Sequence, residues 1–286
     1  PMRPYLALLL GVLAVSFAAI FIRLADAPSL VIAAYRLSLA SLLLAPLAWQ
    51  RARGEMRALH RADLRLALGA GAFLALHFAT WVTSLQYTSV ASSVAIVTTN
   101  PIWVAIASHF LLRERITRPL LLGIGSAVLG GALIGGGDIA LGAHVLLGDG
   151  LALVGAWAAA GYFFIGRKLR ARLSLLVYIT LVYSAAAIPL LALALATRQP
   201  LGGFSTTTYV MFLLLALIPQ IIGHSSFNYA LKFLSATFVT VAILGEPIGS
   251  TILAVFILGE TPPAIVLVGG ALILRGIAIT SREEMR

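Results

Sequence analysis

Residues 100–123 read NPIWVAIASHFLLRERITRPLLLG, and residues 246–269 read EPIGSTILAVFILGETPPAIVLVG. The first run belongs to a longer stretch, 64–122, that reads as two apolar helices, an Arg-rich turn and the start of a third. Shifted by 146 positions, residues 81–127 match 227–273 at ten of 47 places. Pro101 falls on Pro247, Phe110 on Phe256, Leu112 on Leu258, Glu114 on Glu260 and Gly123 on Gly269. Leu and Ile matches come cheaply in so apolar a chain, but paired Pro, Glu and Gly do not. A one-residue slip also sets His77 against His224. Shifted by 143, Phe21 meets Phe164, Tyr35 meets Tyr178 and Pro46 meets Pro189. Such self-similarity fixes the architecture before any single residue is weighed. The chain reads as two copies of one unit, 1–137 and 138–286.

The composition says what solvates them. Of 286 residues, 60% are hydrophobic and only 10% charged, and the mean hydropathy is +1.02. Soluble domains carry about 25% charged residues. The chain therefore reads as an all-α integral membrane protein whose first partner is the lipid bilayer. A span needs roughly 17–25 apolar residues. Ten segments qualify: 5–22, 29–49, 64–86, 92–112, 119–136, 149–166, 173–197, 209–231, 235–258 and 263–280. The first could pass for a signal-peptide core, but it has a partner in the second copy and is kept as a helix. Thr117 and Thr261 read as N-caps of the fifth and tenth helices.

The net charge of +10 sits in short loops rather than on one water-facing surface, so it reads as topology and not as a nucleic-acid site. If ten helices alternate, 17 of the 20 Lys and Arg residues fall on one side. The positive-inside rule makes that side, and both termini, cytoplasmic. Five helices per copy is odd, so the copies run oppositely through the membrane. Inverted repeats of this kind are a transporter architecture with the substrate site near the midplane, between the copies. There is no cysteine, hence no disulfide and no thiolate metal site. No cofactor or metal is expected, and a monomer is the expected functional unit.

Polar side chains inside a span need a reason, because lipid leaves their hydrogen bonds unmade. His77, Trp81, Ser84 and Thr88 form one stripe, and Gln220, His224 and Asn228 form another on the equivalent helix. Both read as walls of an inward cavity, against the plainer reading that they glue helices together. Asn100-Pro101 and Glu246-Pro247 sit mid-span, where proline removes an i→i−4 bond and frees the carbonyls of Val97 and Ile243. Broken helices often mark a transporter's binding site. Glu246 is the one acidic group expected deep in a span. It reads as a contact for a substrate ammonium or a coupling proton, or as a structural hydrogen-bond partner. Trp157 is placed roughly 12 Å into its helix, too deep for an interfacial belt, and reads as a cavity wall. Arg36, also deep, reads as structural, snorkelling or capping a helix end. Glu114 and Glu260 read as holding the turns beside them. The Gly-rich runs, Gly130-Gly131 and Gly269-Gly270 among them, read as close helix contacts.

The pattern as a whole resembles a known family. Tyr35-Arg36 with Pro46, the run Tyr87-Thr88-Ser89-Val90-Ala91, Asn100-Pro101, and Leu112-Arg113-Glu114-Arg115-Ile116-Thr117 followed by Gly123 resemble an EamA-type repeat. That repeat marks the ten-helix branch of the drug/metabolite transporter superfamily. Within it the chain is most similar to bacterial amino-acid exporters of the YddG kind. The resemblance covers the chain twice. It departs in the second copy, where Gly259-Glu260-Thr261-Pro262 lacks the flanking Arg pair. The resemblance implies a basket of helices around a central cavity, with the fifth and tenth helices outside it. It also implies an inner-membrane secondary transporter exporting aromatic and other neutral amino acids and related small metabolites. The expected substrate contacts are His77, Trp81, Asn100, Trp157, His224, Asn228 and Glu246. The rival within transport is an exporter of cationic drugs, proton-coupled through Glu246 with the aromatic residues around it. A membrane enzyme is not expected, since neither HExxH nor GxSxG occurs.

Overall fold

The computed structural model describes residues 2–112, 116–135, 143–259 and 264–284. Arg113, Glu114, Arg115, Glu260, Thr261, Pro262 and Pro263, on which the turn readings rest, lie outside the described residues. Within them the chain is helical, with no strand. The helices are α1 (Arg3–Val15), α2 (Ala18–Leu24), α3 (Ser29–Arg51), α4 (Arg53–Arg57), α5 (Arg61–Ser84), α6 (Val90–Val97) and α7 (Asn100–Leu112). They continue as α8 (Arg118–Gly135), α9 (Ala143–Arg170), α10 (Leu175–Ala196), α11 (Thr206–Leu215), α12 (Ser225–Ala230), α13 (Ala236–Ile243), α14 (Glu246–Leu253) and α15 (Ile265–Glu284). Among the described residues, eight rods are long and apolar enough to cross a membrane. Arg118–Leu133 is a shorter apolar helix.

Local chemistry sets the ends. Ser89, Ser174, Ser205 and Ser235 each cap a helix by accepting a backbone N–H three residues on. The expected cap at Thr117 is present, accepting from Leu120 N at 3.3 Å. The fourth expected span is α6 and α7, broken at Thr98-Thr99, and the ninth is α13 and α14, broken at Leu244-Gly245. Pro101 and Pro247 follow these breaks, where each removes one helix donor. The hydroxyls of Thr98 and Thr99 turn back onto the carbonyls of Val94 and Ile96, both at 2.7 Å, which also loosens the helix there.

Three features differ from the sequence reading. The first span is interrupted after Val15, where Ser16 Oγ donates to Val12 O at 2.8 Å. The eighth span is not one α-helix: Ala216–His224 widens to a π-helix, because Pro219 has no N–H to return to the turn before it. The third span stops at Ser84, so Thr88 lies in the following turn rather than on the stripe of His77 and Trp81.

Packing leaves many large apolar side chains exposed on the outside as well as in the core. Leu6, Leu42, Phe110, Leu122, Phe256 and Leu267 are exposed, as lipid-facing residues should be. Trp49 lies at a helix end with Arg53 Cζ 4.7 Å above its ring, an interfacial arrangement. The helix pairs α5–α9, α3–α10 and α5–α10 form the main body, and α8 packs along α15. Gly130 lets that last pair approach closely: a Cβ there would lie 2.8 Å from Ile273 N. The α8–α15 pair packs against α6 and α13, and a separate small cluster that includes Ala105 of α7, Ala127, Val241 and Ile273 ties it to the bundle.

One end of the bundle gathers the basic loops. Arg172 pairs with Asp63 at 3.1 Å, Glu55 Oε1 accepts from Ser174 N at 2.7 Å, and Arg167 Nη1 donates to Leu231 O at 2.5 Å. Glu284, near the C-terminus, accepts from Ser235 N and Ser235 Oγ, both at 2.6 Å. At the other end Arg23 Nη2 donates to Thr88 O at 2.9 Å and Tyr35 OH to Leu201 O at 2.6 Å.

Candidate functional site

The helix breaks face one another across a central cavity. Val97, Thr98 and Asn100 come from the α6–α7 break, Ile243 and Glu246 from the α13–α14 break, and Val15 and Ala18 from the α1–α2 break. Between them stand Arg36, His77, Trp81, Tyr162, Phe163, His224 and Phe227. Three interrupted helices supply part of the wall; backbone that leaves the regular helix at membrane depth is tolerated where it is buried in protein or lines a cavity. The space open to the centre of a water molecule is about 30 Å³. Ligand pockets run to roughly 300–1,000 Å³, so the cavity is small beside them.

The aromatic wall is layered. His77 stacks on Trp81, centroids 5.8 Å apart at 13°, and His224 stacks on Phe163 at 6.4 Å and 9°. The two imidazoles, brought in from opposite halves of the chain, are 6.4 Å apart. His77 Nδ1 lies 2.9 Å from Gly155 O. A carbonyl only accepts, so Nδ1 carries the proton and a neutral ring keeps Nε2 as an acceptor.

Five of the seven residues expected at the site line this cavity: His77, Trp81, Asn100, His224 and Glu246. The other two do not. Asn228 is fully buried (0% exposed) and donates through Nδ2 to Tyr162 OH at 2.5 Å and Tyr183 OH at 3.4 Å, which is the helix-gluing role. Trp157 sits edge-on to Trp103 with centroids 5.4 Å apart and is 47% exposed, outside the cavity. Depth along its helix does not set which way a side chain faces, and here its helix presents it outward.

Arg36, read as structural, also stands at the cavity. It neither snorkels nor caps a helix. It is 1% exposed and lines the cavity. Its Nε donates to Gln220 Oε1 at 2.8 Å, and its Cζ lies 4.1 Å over the Phe78 ring. Spacing along one helix carries no sign of a partner on another, so sequence reasoning could place Arg36 in depth but not in the site. Glu246 is 7% exposed and opens α14, where the positive end of the helix dipole favours a carboxylate. Among the described residues no ion pair within 4.0 Å joins it to Arg36.

Buried polar atoms rarely go without a partner, yet several here do among the described residues. They are Arg36 Nη1 and Nη2, Trp81 Nε1, Asn100 Oδ1 and His224 Nδ1, all on residues of the cavity wall. Two donors on a cation, an indole N–H, an amide and an imidazole, set around aromatic faces, suit a small polar molecule with an apolar part.

The EamA-like transporter family model matches residues 2–136 and 146–282. The "Probable terminal-alkyne amino-acid exporter" of Streptantibioticus cattleyicolor is 28% identical over 193 residues, 65% of this chain and 62% of that one. The "Uncharacterized transporter YdfC" of Bacillus subtilis is 25% identical over 187 residues, covering 65% and 60%. An uncharacterized transporter of Clostridium kluyveri is 24% identical over 201 residues, covering 68% and 65%. The chain thus spans less than two thirds of the length of each of these relatives. A solved crystal structure superposes with a TM-score of 0.78 at 18% identity, over 99% of this chain and 98% of that one, which establishes likeness of fold alone.

Proposed function

The chain belongs to the EamA-like transporter family, and on that premise we propose that it exports amino acids, aromatic and other neutral ones among them, and related small metabolites across the bacterial inner membrane. The observation that carries this is the central cavity where the broken helices meet, lined by His77, Trp81, Asn100, His224 and Glu246. Trp81, Phe163 and Phe227 offer flat apolar faces to a substrate side chain. Glu246 offers a carboxyl to its ammonium, and Asn100 and the two histidines offer neutral hydrogen-bonding atoms.

In this reading ten helices span the membrane as two inverted repeats, 1–137 and 138–286. The packing supports it. The run of α5 along α9 is answered by α1 and α2 along α11 and α12, while α3–α10 and α8–α15 pair first-half helices with their second-half equivalents. A two-fold axis in the membrane plane would generate this exchange. Rocking one repeat against the other then opens the cavity to each side in turn. The basic end, with Arg172, Arg167 and the C-terminal helix gathered on it, is taken as cytoplasmic.

A second reading, export of cationic drugs, draws on Glu246 among aromatic rings. Arg36 in the same cavity weighs against it, since a net cation would meet a like charge. Counterflow of labelled L-phenylalanine into liposomes bearing the purified protein tests the choice. Competition by unlabelled amino acids is expected. Competition by quaternary cations alone would replace the amino-acid reading with the drug one.

A further inference from the structure

We propose that Arg36 is the carboxylate-binding residue of the central cavity, and that the protein recognises its substrates as zwitterions. This rests on the exporter reading above and names the group on the substrate that the site selects. A guanidinium is a planar fork of five donors matched to a carboxylate. In Arg36 the inner donor is held: Nε is bonded to Gln220 Oε1 at 2.8 Å, and one face of the plane is covered by the Phe78 ring at 4.1 Å. The outer edge, Nη1 and Nη2, has no hydrogen-bond partner among the described residues. The side chain is 1% exposed. A purely structural buried arginine would be closed by a carboxylate or by carbonyls, because an unpaired charge in low dielectric is costly. Here its inner side is tied down and the pair of donors suited to two carboxylate oxygens is left over.

The rest of the wall narrows the ligand. Glu246 lines the same cavity, and among the described residues no ion pair within 4.0 Å joins it to Arg36, so a guanidinium and a carboxyl group share one cavity with Trp81, Phe163, Phe227 and Ile243. A phosphate would meet Glu246 as a like charge, and an amine would meet Arg36. A molecule carrying an ammonium and a carboxylate on one carbon satisfies both. Gln220 is a positioning residue: with its Oε1 on Nε, the fork presents its outer edge rather than rotating.

The test compares ligands on the unaltered protein, so it does not depend on a variant folding. The melting midpoint of the detergent-purified protein is followed against L-phenylalanine, L-leucine, their methyl esters, 2-phenylethylamine and 3-phenylpropionate. Counterflow is measured with the same set as competitors. A hydrogen bond to a charged group converts to about a ten- to hundredfold change in affinity. The esters and the amine should therefore need at least about tenfold more ligand than the free amino acids for the same shift. Arg36→Gln should remove that preference, and Arg36→Lys should keep part of it. Esters matching the free acids, or no stabilisation by any carboxylate, overturns the proposal. The two readings fail separately. Amino-acid exchange inhibited equally by esters keeps the exporter and removes the Arg36 role. Stabilisation by 3-phenylpropionate that Arg36→Gln abolishes, without amino-acid exchange, keeps the Arg36 role and removes amino-acid export.

Discussion

Arg36 and Gln220 stand 184 positions apart and meet in the bundle interior, where Arg36 Nε donates to Gln220 Oε1 at 2.8 Å. The bond joins α3 to the π-helical turn after α11. That turn exists because Pro219 widens the helix beside Gln220. Gln220→Leu keeps the bulk and removes the acceptor. Losing a bond to a charged group costs about 1.5–3 kcal/mol. The KM for counterflow should rise on the order of tenfold or more, with maximal rate less affected, because the fork is displaced rather than lost. An unchanged KM would mean that Phe78 and the surrounding packing hold Arg36 without help.

Glu246 reaches the cavity because Pro247 and the Leu244-Gly245 break set it at the first turn of α14. Glu246→Gln preserves size and the helix start but removes the charge. If the carboxylate receives the substrate ammonium, transport of L-phenylalanine should fall at least about tenfold, while 3-phenylpropionate, which has no ammonium, should bind as before. Transport unaltered across pH in this variant would leave the carboxyl without a role in binding or coupling.

Asn228 separates gluing from lining. Its Nδ2 donates to Tyr162 OH and Tyr183 OH in a site without exposure. Asn228→Ala should lower stability by about 1–3 kcal/mol, read as a drop in melting midpoint, with KM nearly unchanged in the protein that remains folded. His224→Ala should do the reverse, raising KM more than it lowers the midpoint. A KM effect of Asn228→Ala as large as that of His224→Ala would return Asn228 to the cavity.

These contrasts mark what was legible in the chain. The stripe Gln220, His224, Asn228 could be read from a four-residue spacing, and the breaks at Pro101 and Pro247 from the missing donor. Both are local properties of one helix. What each stripe member touches is not local: Gln220 meets Arg36, His224 the cavity and Asn228 two tyrosines, across a turn that changes from π-helix to α-helix between them. The α1–α2 break at Ser16 is not legible in the sequence, because a serine in an apolar run usually tolerates helix. Its back-bond to Val12 marks the turn only once Ser250 Oγ is seen donating to Ser16 O at 3.2 Å. Trp157 faces outward because azimuth around the helix, which depth does not give, decides what a side chain meets.

Sidedness can be tested cleanly because the chain has no cysteine. Gly54, in α4 at the basic end, is exposed, and a Cβ there meets nothing within 4 Å. Gly202, in the loop between α10 and α11, is exposed as well. Five of the expected spans lie between these positions, an odd number, so Gly54→Cys and Gly202→Cys should face opposite sides. The positive-inside rule puts residue 54 in the cytoplasm. A membrane-impermeant maleimide added to intact cells should label Gly202→Cys and spare Gly54→Cys until the membrane is opened. Labelling of both from outside would break the alternation on which the odd number of helices per repeat, and hence the inverted architecture, depends. Labelling of Gly54→Cys alone would keep the architecture, reverse the orientation, and turn the basic end outward.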